Sequence, residues 1–299
     1  MIQTRALLAA TLDPLNDPFV LNKIRFPVFC SPKLDGIRAL SINGRLLSRS
    51  GKLIPSKQAQ TMFSHFNKLD GELIYDSPTI PNVYNITQSF VMSIAKPALD
   101  KNNQPLLRYY VFDRVTEDPY KVRYDSLPSG DNWLKTLEQT YITHLDDLLA
   151  YEEKCLLEGY EGIMIRSIEG PYKHGRATLN DQILMKLKRF SEFEAPIIGF
   201  EEQYTNLNTP IIDDLGYTER STSKEGLVPA DTLGAIIVDY QGEPLNISCG
   251  CMDHAMRKHV WRNKHVFLNK IAVVRHLDKN LVGYRPRFGR FAGFREDGR

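Results

Sequence analysis

The chain has almost no net charge. Over 299 residues its lysines and arginines exceed its acids by only two. Any basic surface must therefore come from local clustering and not from overall excess. Cysteine is scarce, at four residues: Cys30, Cys155, Cys249 and Cys251. Only the last two are neighbours. One Cys-x-Cys without a second pair argues against a structural zinc site, and reduced thiols in a cytosolic protein are the simplest expectation. No apolar run approaches the length of a membrane span. The start, Met1 to Ala10, makes a poor signal peptide, because its apolar stretch is short and Asp13 and Pro14 follow at once. A soluble protein without membrane or zinc is expected, long enough for one large core or two smaller ones.

What is present centres on Lys33-Leu34-Asp35-Gly36-Ile37-Arg38. Four residue types fixed at that spacing should coincide on the order of once in 10⁵ positions by chance. The string also makes a good turn between strands, with Asp35-Gly36 supplying a positive φ. Before it, residues 6–12 form an apolar lead-in, and Val28 to Pro32 reads as a short strand. After it, Ala39 to Arg49 reads as a hairpin turning at Asn43-Gly44. Arg49 and Lys52 then follow among serines and a glycine, where they would serve equally as solvated turn charges.

A second acidic string, Leu69-Asp70-Gly71-Glu72-Leu73, has a strand pattern that places Asp70 and Glu72 on one side. Such a pair has a use beside a metal ion or a ribose. Arg108 to Val115 is an aromatic strand in which Tyr110 reads as core and Phe112 as a candidate for stacking on a purine. The spacing over 131–158 predicts a helix. Glu161 then stands alone on a strand, Gly162 to Arg166. Lys186 and Lys188 alternate with leucines, so they point to one side, either into a site or along a guarded sheet edge.

The character changes near Arg189. Strands at Glu194–Glu202, Leu233–Tyr240 and Leu245–Cys251 precede a helical stretch from Asp253 to about Asn269. Two more strands follow, at Ile271–Arg275 and from about Leu281 to Phe294. Five strands with a helix after the third is the order of an OB-fold. The expected class is α+β. An N-terminal domain of antiparallel sheets and helices covers 1–189, and a five-stranded OB barrel covers 190–299. Tyr204 to Asp231 is a polar insert long enough to be functional. The final residues interleave Arg285, Arg287, Arg290, Arg295 and Arg299 with phenylalanines, which suits phosphate contact or a barrel strand with its arginines in solvent.

A lysine, three separated acids, an aromatic and a lysine pair suit attack on the α-phosphorus of a nucleoside triphosphate. Only about one free lysine in 2,500 is neutral at pH 7. Nearby Lys186, Lys188 and a divalent metal would favour the neutral form of Lys33. Lys186 and Lys188 would also stabilise charge on the α-phosphate.

The motifs resemble those of the covalent nucleotidyltransferases, the DNA ligases, RNA ligases and capping guanylyltransferases. Lys33-Leu-Asp-Gly-Ile-Arg38, Asp70-Gly-Glu72, Tyr110-Val-Phe112-Asp113, Glu161-Gly-Ile-Met-Ile-Arg166 and Lys186-Leu-Lys188 follow the family's order. Residues 7–12, 215–224 and 286–297 bring the chain nearest to the small ATP-dependent DNA ligases of the chlorella virus type.

The resemblance implies that Lys33 carries AMP and that Asp35, Glu72 and Glu161 serve Mg²⁺ (or Mn²⁺ in its place), Glu72 also lying near the ribose. It implies that Phe112 and Met164 sandwich adenine while Ser31 reads its edge. Lys186 and Lys188 would hold the α-phosphate, with Arg38 also at the nucleotide. Arg38, Arg49, Lys52, Arg176, Arg220 and Lys224 would contact nicked duplex DNA. Residues 204–231 would form a latch, and Arg287 and Arg295 would orient pyrophosphate. Arg295-Glu-Asp-Gly lacks the family's closing lysine, which leaves the choice of arginine open. The expected protein is a monomeric, ATP-dependent DNA ligase acting on intracellular, viral or phage DNA. An RNA ligase, a GTP-using capping enzyme or a non-catalytic nucleic-acid-binding protein are the alternatives.

Overall fold

The structure is a computed structural model that describes residues 5–128, 130, 132–212, 218–249, 251–282 and 285–295. It divides into two units, Met1–Lys188 and Arg189–Arg299.

Two five-stranded sheets make the first unit. One runs in the order Ala10–Leu12, Leu184–Leu187, Ile163–Ser167, Val28–Pro32, Thr140–Ile142. Strand alternation sends Val28, Cys30, Ile163, Ile165, Met185 and Leu187 to one side, where Leu148 and Cys155 of the helix Leu145–Leu157 cover them. The residues in between face the other way. Ser31, Met164 and Lys186 stand in one row across three strands, since Met164 pairs with Ser31 on one side and Lys186 on the other.

The second sheet runs Arg45–Ser48, Ile37–Ile42, Leu69–Tyr75, Leu107–Arg114, Leu134–Thr136. Its first hairpin turns where expected, with Asn43 and Gly44 both at positive φ (50° and 72°), the geometry that matches strand twist. Its apolar face packs on Ala59 and Phe63 of the helix Lys57–Phe63 and on Val91 of the helix Val83–Val91. Between Leu69–Tyr75 and Leu107–Arg114 the register slips: Asp70 pairs with Asp113, and Gly71 with Val111. Phe112 is the extra residue of that bulge.

Each sheet departs from the expected antiparallel pattern at one edge, where Ala10–Leu12 and Leu134–Thr136 pair in parallel with their neighbours. The helix expected over 131–158 is also shorter. Leu134–Thr136 and Thr140–Ile142 are strands, and the helix begins only at Leu145. Apolar residues there satisfy a helical period, but tertiary pairing with Tyr109–Val111 and Val28–Cys30 captures them first.

In the second unit five strands close into a barrel. Ser191–Asn206 pairs with Leu227–Tyr240, then Glu243–Ser248, Arg285–Phe294 and Ile271–Val282, which returns to the first. Ala195, Ile197, Ile236, Val238, Ile247 and Val274 fill it, and Val260 and Phe267 from the helices His254–Arg262 and Lys264–Phe267 join them. Asp253 caps the longer helix by accepting from the Met256 N–H at 2.7 Å. Ile271–Val282 is longer than expected, and Val282 pairs with Arg285 of the last strand. The insert is shorter than expected: the flanking strands extend to Asn206 and from Leu227. Within it, Pro210–Ile212 pairs with Thr218–Arg220; 213–217 lie outside the described residues. No helix among the described residues is long and apolar enough to cross a membrane.

Candidate active site

The two sheets of the first unit line one cleft of about 840 Å³, open mouth included. Ser31, Met164 and Lys186 come from the first sheet, and Arg38, Glu72 and Phe112 from the second; Lys33, Arg49 and Arg176 line it too, whereas Asp35, Glu161 and Lys188, also expected, are not among its lining residues. Alternation puts Phe112 on the face opposite Val111, with Tyr110, and the bulge beside it brings the next residue, Asp113, opposite Asp70. Leu8, Ala9, Leu34, Leu137 and Arg166 also line the cleft.

Lys33 is held at both ends. Its backbone N–H donates to the Gly162 carbonyl at 2.8 Å. Its Nζ forms an ion pair with Glu161, whose other oxygen accepts from Lys188 Nζ at 3.3 Å. Burial works against a charged lysine, but Glu161, and behind it Glu72 and Asp35, outweigh that and hold Lys33 above the ordinary lysine range. In the protein alone Glu161 outweighs Lys186 and Lys188, which corrects the expectation that those lysines keep it neutral; the divalent metal named in that expectation would add to the side of the lysines. The nearest charge to Nζ is a carboxylate, so the resting lysine is protonated. For Glu161, burial opposes ionisation, yet Lys33 and Lys188 hold it below the usual carboxylate range. Lys186 is the lysine whose basicity falls: burial first, then Lys188, Lys33 and Arg176, push it down to about 8. Burial pushes Glu72 up to about 7, although Arg38 and Lys33 pull the other way.

Asp35, Glu72 and Glu161 do not form a ready-made metal cage. Among the described residues no group of three His, Cys, Asp or Glu side chains is placed to hold a metal ion. The donors are nonetheless oxygens, which suit Mg²⁺, and Mg²⁺ is commonly held by one or two carboxylates together with substrate phosphates. The set fits a metal that arrives with a triphosphate.

Asp70 and Glu72 share a side of their strand, as the alternation predicted, and Arg38 stands opposite Glu72. Arg38 donates from Nε to Asp70 Oδ1 at 2.5 Å and from Nη2 to Oδ2 at 2.7 Å. Its guanidinium lies 4.5 Å from the Phe112 ring centroid. Arg176 donates to the Ala9 carbonyl at 2.8 Å. Lys52 is exposed in the turn after Ser48 and does not line the cleft. In the second unit, Arg220 donates to the Asn208 carbonyl, Lys224 opens the short turn Lys224–Gly226, and half-exposed Arg295 pairs with Glu194 at 2.8 Å. The side chain of Arg287 lies outside the described residues.

The sequence reading missed the support beneath Phe112. Asp113 is fully buried and accepts from Arg123 Nε at 2.7 Å and Arg166 Nη1 at 2.6 Å. The Arg166 guanidinium is 5.3 Å from the Phe112 centroid. The arginine ending the Glu161 string was the available signal, since a charge that alternates with Ile163 and Ile165 must find a buried partner.

No family model matches the chain. The structure of a chlorella virus DNA ligase-adenylate is similar over 99% of this chain and 100% of its own, at 29% identity and a TM-score of 0.53. The chain is similar to viral DNA ligases. A Lig E DNA ligase structure shares the fold, with a TM-score of 0.68 at 20% identity over 97% of this chain and 99% of its own. Among curated proteins, the DNA ligase of Enterobacteria phage T4 is 22% identical across 84% of this chain. The ligase of phage T6 matches at the same identity and extent. The chain spans 60% of the length of these two phage proteins.

Proposed function

We propose that the chain is an ATP-dependent DNA ligase that seals nicks in duplex DNA. The observation that carries this reading is Lys33: its amino group is held in a cleft beside Glu161, Lys188 and Lys186, in a chain similar along its whole length to a ligase-adenylate. In the first step Nζ loses a proton and attacks the α-phosphorus, the bond to pyrophosphate breaks, and AMP stays on Lys33. Lys186 and Lys188 stabilise negative charge on the phosphate, and Phe112 and Met164 bracket the base. The carboxylates of Glu72, Asp35 and Glu161 would hold Mg²⁺ when it is bound, which would neutralise phosphate charge. AMP then passes to the 5′-phosphate at a nick, and the 3′-hydroxyl displaces it.

We assign the barrel to the OB class on its strand order, first–second–third–fifth–fourth, with a helix after the third strand. The paired strands Pro210–Ile212 and Thr218–Arg220 are the latch-like element, and Arg295 is the pyrophosphate candidate. The test is incubation with labelled ATP or GTP, then with nicked DNA or nicked RNA. ATP labelling followed by DNA sealing is expected; labelling by GTP alone, or sealing of RNA alone, overturns the reading.

Two further outcomes are expected. Gly162 has φ +149° and no room: a Cβ there would lie 2.2 Å from the Leu187 carbonyl oxygen. Gly162→Ala should shift the carbonyl that holds Lys33 and slow enzyme–AMP formation by about 10- to 100-fold, measured by label incorporation. Replacing residues 207–226 by a short turn removes Arg220 and Lys224. The salt dependence of nick binding should become shallower by about two units in log–log slope, with labelling of Lys33 unchanged. Equal loss of both would exclude a latch role.

A further inference from the structure

We propose that Tyr172 is a positioning residue that fixes Arg38 for contact with the 5′-phosphate of a nick. This rests on the ligase reading above. Tyr172 lies outside every motif the sequence analysis singled out, and it does not line the cleft. It is nevertheless 7% exposed in the interior of the first unit. Its hydroxyl donates to Asp70 Oδ2 at 2.6 Å and accepts from the Leu7 N–H at 3.3 Å.

Asp70 is fully buried and uses both oxygens. Oδ1 takes Arg38 Nε; Oδ2 takes Arg38 Nη2 and the Tyr172 hydroxyl. The Leu7 carbonyl accepts a second hydrogen from Arg38 Nη2 at 3.2 Å. Leu7 therefore receives the guanidinium on its carbonyl and gives its N–H to Tyr172, so that one residue of an edge strand and one tyrosine close a ring around the Arg38–Asp70 pair. Just after that strand, the Ala9 carbonyl receives Arg176. Leu7–Leu8 is kept in place by parallel pairing with Gly175–Arg176, just beyond Tyr172.

The consequence concerns geometry. Arg38 spends Nε and Nη2 on this ring, and Nη1 has no hydrogen-bond partner among the described residues. A guanidinium fixed on one edge holds its two remaining Nη1 hydrogens in a set direction, so that a phosphate oxygen meets a donor already oriented. A free arginine would lose rotamer freedom on binding; this one has lost it already. Without the Tyr172 hydroxyl, Asp70 Oδ2 keeps one donor and Leu7 N–H has none, so the carboxylate can rotate and carry Arg38 with it.

The test compares Tyr172→Phe and Tyr172→Leu with the unaltered chain. Enzyme–AMP formation is measured with labelled ATP, and binding is measured to duplexes whose nick carries either a 5′-phosphate or a 5′-hydroxyl. The unaltered chain should prefer the phosphorylated nick. Tyr172→Phe, which keeps the ring, should label within about twofold of normal and lose at least about fivefold of that preference. Its KM for phosphorylated nicks in sealing should rise correspondingly. Tyr172→Leu should lose the preference to the same extent if the hydroxyl is what matters. A phosphate preference untouched in Tyr172→Phe overturns the proposal. So does an equal fall in labelling and in binding to both nicks, which marks a merely structural tyrosine. Failure of the unaltered chain to label with ATP overturns the ligase reading itself, and with it the proposal.

Discussion

Lys33→Ala is expected to reduce enzyme–AMP formation to below about one part in 10⁴ of the unaltered chain, the scale set by removing a nucleophile. The prediction is sharper than it looks, because a second lysine lines the same cleft. Lys186 is pushed down to about 8, so roughly one in ten is neutral at pH 7, whereas Lys33 is held protonated by Glu161. On basicity alone Lys186 is the readier nucleophile. Position argues the other way: Lys33 is anchored through its backbone to Gly162 and has a carboxylate beside Nζ to receive or release a proton. Lys186→Ala should therefore retain slow labelling while Lys33→Ala retains none. Label surviving in Lys33→Ala and vanishing in Lys186→Ala would transfer the role.

The pH profile gives an independent check. Lys33 has its proton below its raised pKa and must lose it to attack, so the neutral fraction grows tenfold per pH unit. Glu72, with its pKa near 7, ionises over the same interval. Both effects raise labelling between about pH 6 and 8. Above about 8 the loss of the Lys186 proton works against the α-phosphate, so the curve should flatten. A profile falling from pH 6 to 8 would contradict this assignment.

The largest effect on stability is expected at Asp113. Asp113→Ala leaves Arg123 and Arg166, only 1% and 4% exposed as side chains, without their shared counter-charge. Removing one partner of a buried ionic cluster costs about 3–5 kcal/mol. Arg123 keeps the Gly170 carbonyl at 3.0 Å and the Asp118 carbonyl, which places the loss nearer the lower figure. Urea unfolding measures it, with Trp261→Phe as background so that fluorescence reports Trp133 in the first unit. A loss under about 1 kcal/mol would show that the cluster relaxes into solvent. The same substitution should impair labelling in the folded fraction, because Arg166 supports Phe112 from 5.3 Å.

The motif residues were legible because each strand of the site is short and regular. Lys186 beside Met164, and Met164 beside Ser31, follow from alternation once the strands are paired. The Asn43-Gly44 turn has a local cause and is readable locally. Three features were not legible. The strands at 134–136 and 140–142 depend on partners about 25 and 112 residues away in sequence, so their local period misleads. The bulge at Phe112 is a slip between two strands, to which no single segment points. The protonation of Lys33 depends on which charge is nearest, and spacing placed the lysines and Glu161 in one site without ranking their distances.

The parallel edge of the first sheet also bears on how the chain is made. Ala10 pairs with Met185 and Leu12 with Leu187, so the ribosome must add about 175 residues before that strand finds its place. At roughly 5–20 residues per second, its apolar residues wait on the order of 10–35 seconds. Through that interval Leu7 and Leu12, both destined for the interior, are exposed on a nascent chain. They are natural points of engagement for a chaperone and make the lead-in strand the last piece of its unit to be secured.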